Sequence, residues 1–369
     1  MTVPLMDLTA QYAALKSEID EALLGAVASQ RFILGPEVDT FEKEVSEYLG
    51  VRHAVGCASG TDALLLPLKS LPAAPGSDVI VPSFTFFATA GAVWNAGFRP
   101  VFCDVDPETF NVTAESLDEV WTERTVAVVA VHLFGQMAPM REILELARSR
   151  GAFVLEDTAQ AIGATSLEGM AGSVGDAGAF SFFPTKNLGG YGDGGLVTTN
   201  NDDLAEAIRK LRVHGGQRMY HHESVGFNSR LDAIQASILR VKLPHLNGWA
   251  EARRVNAERY REGLAEFDSV LAPLVLEGNL HVYNQFTVRV GEGRRDDLRQ
   301  FLTDRSIGSG IYYPVPLHMQ DCFSELGGGG GDLPVTEALC REVLSLPIFP
   351  ELGESRQAKV IDAVRSFYT

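Results

Sequence analysis

Basic residues are in short supply. The chain has 31 lysines and arginines against 48 aspartates and glutamates, a formal net charge of −17. That balance argues against nucleic acid or an anionic membrane as the main partner, because both attract basic surfaces. An anionic small molecule stays open, since it needs only a few local cations or a helix N-terminus. Cysteine is scarce as well. Cys57, Cys103, Cys322 and Cys340 are scattered, with no CxxC and no histidine pairing at metal spacing, so no metal site is expected. They read as reduced thiols, with Cys57 and Cys103 as small core residues on strands. No apolar run approaches the roughly 20 residues that span a bilayer. The opening MTVPLMDLTAQY has neither the basic region nor the apolar stretch of a signal peptide. A soluble, cytoplasmic protein is the expectation.

What is present is a core of ordinary size. Hydrophobic residues make up 46% and charged residues 21% of 369 residues, enough for two domains or a large one with an appendage. From residue 50 onward, short apolar runs alternate with helical stretches: HAVGC, then TDALLLPLKSL; SDVIVP, then TFFATAGAVWNAG; then RPVFCDV, TVAVVAVHLFG and GAFVLED. This alternation predicts an α/β fold with a mainly parallel, doubly wound sheet. A ligand then belongs beyond the carboxyl ends of its strands. After Asn200 the chain turns to long helices, including one over Trp249–Phe267. A smaller α+β unit follows, with strands NQFTVRV and SGIYYP, helix RDDLRQFLTDRSI and two helices from Leu333 to the end. The expected division is 1–247 for the large domain and 248–369 for the small one. Gly327–Gly331 reads as a flexible surface loop.

Several short stretches carry chemistry. In AFSFFPTKNLGGYGDGGLVTTN, Lys186 sits where an apolar strand gives way to a glycine-rich bend. Glycine there lets backbone pass close to a bulky ligand. GAFVLEDTAQA ends a strand on Glu156 and Asp157, with Gln160 one turn later; plain helix capping by Asp157 is the simpler alternative. SGTDAL offers Ser59, Gly60 and Thr61 at a helix start, fit for a phosphate or for mere capping. PSFTFF places Phe84, Phe86 and Phe87 at a strand end, where two are expected in the core and one is free to stack on a flat ring. Gly190, Gly192 and Gly195 spell GxGxxG, but the strand-like LVTTN that follows rules out a dinucleotide fingerprint, which must open a helix. An amine, a carboxylate, a phosphate-binding turn and an aromatic face together suggest a pyridoxal 5'-phosphate (PLP) enzyme, with Lys186 holding the aldehyde and an acid keeping the ring nitrogen protonated.

The segments ILGPEVDTFEKEV, SGTDAL, EDTAQAIGA, SFFPTKNLGGYGDGG, VGFNSRLDAIQA and YYPVPLHMQ occur in that order between residues 33 and 320. Together they resemble the DegT/DnrJ family of nucleotide-sugar aminotransferases, PLP enzymes of fold type I. The resemblance implies that Lys186 is the catalytic lysine and that Asp157 partners the pyridinium. It places Gln160 near the phenolic oxygen and Phe86 over the ring. Ser59, Gly60, Thr61 and Ser181 would hold the phosphate, and Asn228 would reach it from a neighbouring subunit. A homodimer with shared active sites follows, with Arg230 as a cross-subunit substrate contact.

The implied reaction is ping-pong transamination. L-glutamate gives up its amino group, the cofactor rests as pyridoxamine 5'-phosphate, and a nucleotide-linked keto-sugar takes the nitrogen. The product would be an amino sugar for a surface polysaccharide or glycosylated metabolite. The segments RMYHHESVGFNSRLD and IYYPVPLH look most like the branch acting on 3-keto sugars. Tyr312, where dTDP-6-deoxysugar enzymes commonly carry histidine, is similar to enzymes that aminate UDP-2-acetamido-2-deoxy-3-oxo-glucuronate, so that sugar ranks slightly ahead of a dTDP-3-keto-6-deoxyhexose. Arg31, Tyr191, Tyr312, Tyr313 and His318 are the further candidate substrate residues, with strand packing an equal alternative for the two tyrosines. A 4-keto sugar aminotransferase, a sugar dehydratase, a non-catalytic PLP-binding regulator and a nicotinamide dehydrogenase are the rival readings. Lys186 argues against the dehydratases, which carry histidine there.

Overall fold

The computed structural model describes residues 2–369 except 217 and 219. Its main sheet has seven strands: β1 (His53–Cys57), β2 (Asp78–Pro82), β3 (Arg99–Cys103), β4 (Thr125–Val131), β5 (Phe153–Asp157), β8 (Ala177–Ser181) and β9 (Gly195–Thr199). A two-residue pair, β6 (Thr165–Ser166) and β7 (Gly169–Met170), forms a small hairpin between β5 and β8. The sheet order is β1-β9-β8-β5-β4-β2-β3. Strands β8, β5, β4, β2 and β3 run parallel, and β9 alone opposes its neighbours β1 and β8. This is the doubly wound, mainly parallel sheet the alternation predicts.

The central strands are continuous apolar runs because helices cover both faces. Val79, Ile80, Val81, Val128, Val129, Val154 and Leu155 are all buried. The covering helices follow the periodic segments closely: Gly60–Lys69, Ala88–Ala96, Met140–Ser149 and Asp202–Leu211. Cys57 and Cys103 are buried free thiols on β1 and β3, as expected.

The second unit departs from expectation in its sheet. Its sheet is antiparallel, with β10 (Val270–Leu271) paired to β11 (Phe286–Val290) and β11 to β12 (Val343–Leu346). SGIYYP is not a strand; only Gly310 bridges to Ser345. Gly308, just before it, serves close packing, since a Cβ there would lie 2.6 Å from the Leu5 nitrogen. The third strand is VLSL, which sequence reading absorbed into the C-terminal helices. All four of its residues are buried, and so short an apolar run has the same pattern in a buried strand as in a buried helix.

The expected boundary at 247/248 falls inside the helix Leu246–Leu264, which is reached from the helix Ala233–Lys242 by one 3-10 turn, Leu243–His245. The N-terminal residues return to the C-terminal unit. Val3 bridges to Ile307 and packs with Val288, Leu298, Leu344 and Val360. Among the described residues no helix is long and apolar enough to cross a membrane.

Candidate active site

The carboxyl ends of β5 and β8 bring Asp157 and Lys186 to the same place. Alternation along β5 sends Glu156 and Asp157 to opposite faces. Glu156 is wholly internal: its Oε2 meets His132 Nε2 at 2.8 Å, and its oxygens accept from the backbone nitrogens of Gly172, Val174 and Gly175. His132 Nδ1 accepts from Ala138 N–H, so the ring proton lies on Nε2 and points at Glu156. Glu156 therefore builds the loop before β8, and Asp157 is left to the site.

Asp157 accepts from Thr89 Oγ1 at 2.8 Å and from Ala159 N at 3.2 Å. Burial pushes its carboxyl above the ordinary value, while the Thr89 and Ala159 hydrogen bonds and the charge on Lys186 pull it back. Thr89 was not legible as a site residue; it opens the helix that follows PSFTFF.

Lys186 lies five residues past β8, in a turn closed by its N–H donating to Phe183 O at 2.9 Å. Gly189 is obligatory in that turn, because a Cβ there would lie 2.2 Å from Pro184 O. Loss of water around the Lys186 ammonium lowers its pKa to about 8, with the Asp157 charge opposing the fall. Its Nζ has no hydrogen bond or ion pair with any described residue.

Gln160 is fixed at both ends: Oε1 accepts from Phe134 N at 2.7 Å, and Nε2 donates to Tyr313 Oη at 3.2 Å. Burial raises the Tyr313 phenol. Phe86 leans on Tyr313 with ring centroids 6.1 Å apart and stays 56% exposed. Of its neighbours only Phe84 is core; Phe87 stacks on Phe323 and remains partly exposed.

At the opposite corner Ser59 caps the helix Gly60–Lys69 by accepting from Asp62 N at 3.1 Å. A Cβ at Gly60 would lie 2.6 Å from Ser181 Cβ, so the two candidate phosphate segments touch. Thr61 is exposed in the first turn. Ser229, unnoticed in the sequence, secures this corner by donating to Asp62 at 2.6 Å and accepting from Ala58 N.

The candidate substrate residues divide. Tyr312 packs edge-on to Tyr313 beside the site. Arg31 and Asn228 are exposed, and neither the Arg31 nor the half-buried Arg230 guanidinium has a partner among the described residues. Tyr191 is already engaged, edge-on to Tyr12 and under the Lys242 ammonium at 4.5 Å. His318 is buried. Ser83 Oγ accepts from His318 N at 3.1 Å and pairs with Nδ1 at 2.7 Å, and Nε2 lies 3.5 Å from Glu337. These contacts tie His318 to the end of β2. Glu337 also accepts from Gly331 N, and Gly327 and Gly331 take positive φ angles of 80° and 96°, so the glycine run makes a defined turn against His318.

The chain matches the model of the DegT/DnrJ/EryC1/StrS aminotransferase family over residues 13–365. It belongs to that family. A pleiotropic regulatory protein of Geobacillus stearothermophilus is 46% identical, over 100% of this chain and 99% of the relative. The UDP-N-acetyl-3-dehydro-alpha-D-glucosamine 3-aminotransferase of Acidithiobacillus ferrooxidans is 45% identical, over 98% and 97%. The crystal structure of DesV from S. venezuelae in complex with a ketimine intermediate superposes with a TM-score of 0.96 at 41% identity, covering 99% of this chain and 98% of that one. NtdA from Bacillus subtilis, solved with bound pyridoxamine phosphate, is 31% identical with a TM-score of 0.89 over 95% of this chain and 81% of that one.

This DegT/DnrJ/EryC1/StrS chain is thus a sugar aminotransferase by family, and the family depends on PLP. The residues present fit the cofactor. A half-buried lysine with no partner among the described residues, a carboxyl facing it, an exposed aromatic ring and a helix N-terminus match an aldehyde, a pyridinium nitrogen, a ring face and a phosphate.

Proposed function

We propose that this protein transfers the amino group of L-glutamate to a UDP-linked 2-acetamido-3-keto sugar, using PLP. The observation that carries the reading is the Lys186 amine, desolvated, unpartnered and held opposite Asp157. Bound PLP supplies an aldehyde that accepts amines and a ring that accepts electrons. Lys186 Nζ would hold the aldehyde and Asp157 the ring nitrogen; Gln160 would meet the phenolic oxygen and Phe86 cover the ring. Gly60, Thr61 and Ser181 would hold the phosphate. Released from the aldehyde by the incoming amine, Nζ would take a proton from the α-carbon of glutamate and, in the second half, deliver one to the sugar carbon that receives nitrogen; desolvation, which lowers its pKa to about 8, favours the neutral amine this needs.

The 3-keto position is supported by the 45% identity to a UDP-sugar 3-aminotransferase. The uronate is carried by Tyr312, and the partnerless cations Arg31 and Arg230 suit its carboxylate. Purified enzyme charged with glutamate is to be offered the UDP-linked 3-oxo-glucuronate, UDP-N-acetyl-3-dehydro-glucosamine and a dTDP-3-keto-6-deoxyhexose. Turnover of the UDP sugars over the dTDP sugar supports the reading; the reverse order overturns the nucleotide assignment. A homodimer belongs to this reading. A second subunit would cover Tyr220 and Val225, each 91% exposed on the loop leading to Asn228.

A second reading has one observation in its favour: the relative called a pleiotropic regulatory protein. A regulator would bind PLP yet leave glutamate unchanged.

A further inference from the structure

The segment from His281 to Asn284, just before β11, crosses from the C-terminal unit onto two loops of the site. Val282 N donates to Gly135 O at 2.9 Å and Asn284 N to Phe134 O at 2.8 Å. Phe134 is the residue whose own N–H fixes the Gln160 side chain. On the other side, Asn284 Nδ2 donates to Asn187 Oδ1 at 2.8 Å, and Asn187 Nδ2 donates to Val282 O at 3.1 Å. Asn187 is the immediate neighbour of Lys186, and both asparagines are buried. The approach is close enough that a Cβ at Gly135, whose φ is +104°, would lie 2.9 Å from the Val282 side chain. The segment is anchored from behind by the buried Arg253, whose guanidinium donates to Tyr283 O at 2.9 Å and Ile348 O at 3.0 Å.

We propose that Asn284 is a positioning residue that sets Lys186 and Gln160 together, so that the C-terminal unit determines where the lysine meets the cofactor. One side chain and its own backbone nitrogen reach both loops: the amide holds Asn187, and the N–H holds Phe134. Neither loop is tied to the other within the large unit by any hydrogen bond among the described residues. Asn284→Asp is the sharpest perturbation, because it keeps the shape while opposing a carboxylate oxygen to Asn187 Oδ1.

The inference rests on the PLP reading, and the test separates the two. Wild type, Asn284→Asp, Asn284→Ser and Asn256→Ala are purified with PLP. Each is measured for induced circular dichroism of the visible cofactor band, PLP loss on dilution and thermal midpoint. Asn256 is the control, since it makes a comparable buried bond to Phe349 O in the same unit without reaching the site. The expected result is that Asn284→Asp weakens PLP retention about tenfold, as one buried hydrogen bond does, and reduces the induced signal. Asn284→Ser is expected to change both in the same direction and to a smaller degree. Asn256→Ala should lower the midpoint alone. If the Asn284 variants and Asn256→Ala lose stability alike with band and retention intact, Asn284 is merely structural and the proposal fails. Should Asn284→Asp not fold, Asn284→Ser decides by the same criteria. A wild type without a cofactor band defeats the PLP reading itself.

Discussion

Asp157 and Lys186 show how loss of water shifts the titration of two ordinary side chains. Between pH 8 and 10.5 the unfolded lysine keeps a proton that the native amine has shed, because its folded pKa lies below the ordinary one. The unfolded state then binds more protons, so this group makes stability rise with pH across that window. Denaturant unfolding of the apoprotein at several pH values is expected to show this slope, with Lys186→Met lacking it. Equal slopes would contradict the desolvated amine. Lys242, lowered in the same way by burial, is common to both proteins and cancels. For Asp157→Asn, which retains an acceptor for Thr89 but no negative charge, the glutamate half-reaction is expected to slow about a hundredfold or more. A stopped-flow trace of cofactor absorbance measures it, and an unchanged rate would remove Asp157 from the mechanism. These two residues were legible because each sits in a short motif at a strand end. Thr89 was not: it meets Asp157 from 68 residues away, a pairing that only the fold creates.

At the level of elements, the corner proposed to hold the phosphate is built on contact between the helix start at Gly60 and the end of β8 at Ser181. Gly60→Ala is expected to push these segments apart and weaken PLP binding by about tenfold or more. Adding Ser181→Gly should recover the thermal midpoint but not the affinity, since it frees the space while removing the hydroxyl. Recovery of both would show that Ser181 does not touch the phosphate. Strand alternation makes a contrasting case of Glu156. Glu156→Ala leaves three backbone donors and His132 without their acceptor, a loss of about 3 kcal/mol or more, read as a lowered denaturation midpoint. Apart from the family resemblance, the run GAFVLED gives Glu156 and Asp157 equal standing, because both sides of the sheet are buried and the strand's facing is not legible in it. The same ambiguity hid VLSL, whose four residues are all buried and show no period. His318 was recognisable as chemistry but not as buried, since its partners Ser83 and Glu337 come from distant elements.

Across the whole molecule, the mainly parallel sheet and the family were readable from alternation and from ordered motifs, whereas the closure of the chain was not. Nothing in MTVPLMDL announces that Val3 joins the C-terminal core, and nothing in HVYN announces a link to the lysine loop. If active sites are shared between two subunits, Lys186→Ala and Asn228→Ala lie on different chains of one site. Each variant alone is then expected to be weak, and mixing them after mild dissociation should restore activity by forming one intact site per mixed dimer. No restoration, with a dimer seen by light scattering, would place each site within one chain.

The central claim is that Lys186 holds PLP for transamination. Its most direct test is the absorbance spectrum of the purified protein before and after L-glutamate, with Lys186→Ala alongside. A visible band that glutamate replaces with near-ultraviolet absorption, and that Lys186→Ala lacks, is the expected result. No band after adding PLP, or a wild-type spectrum reproduced by Lys186→Ala, would contradict it.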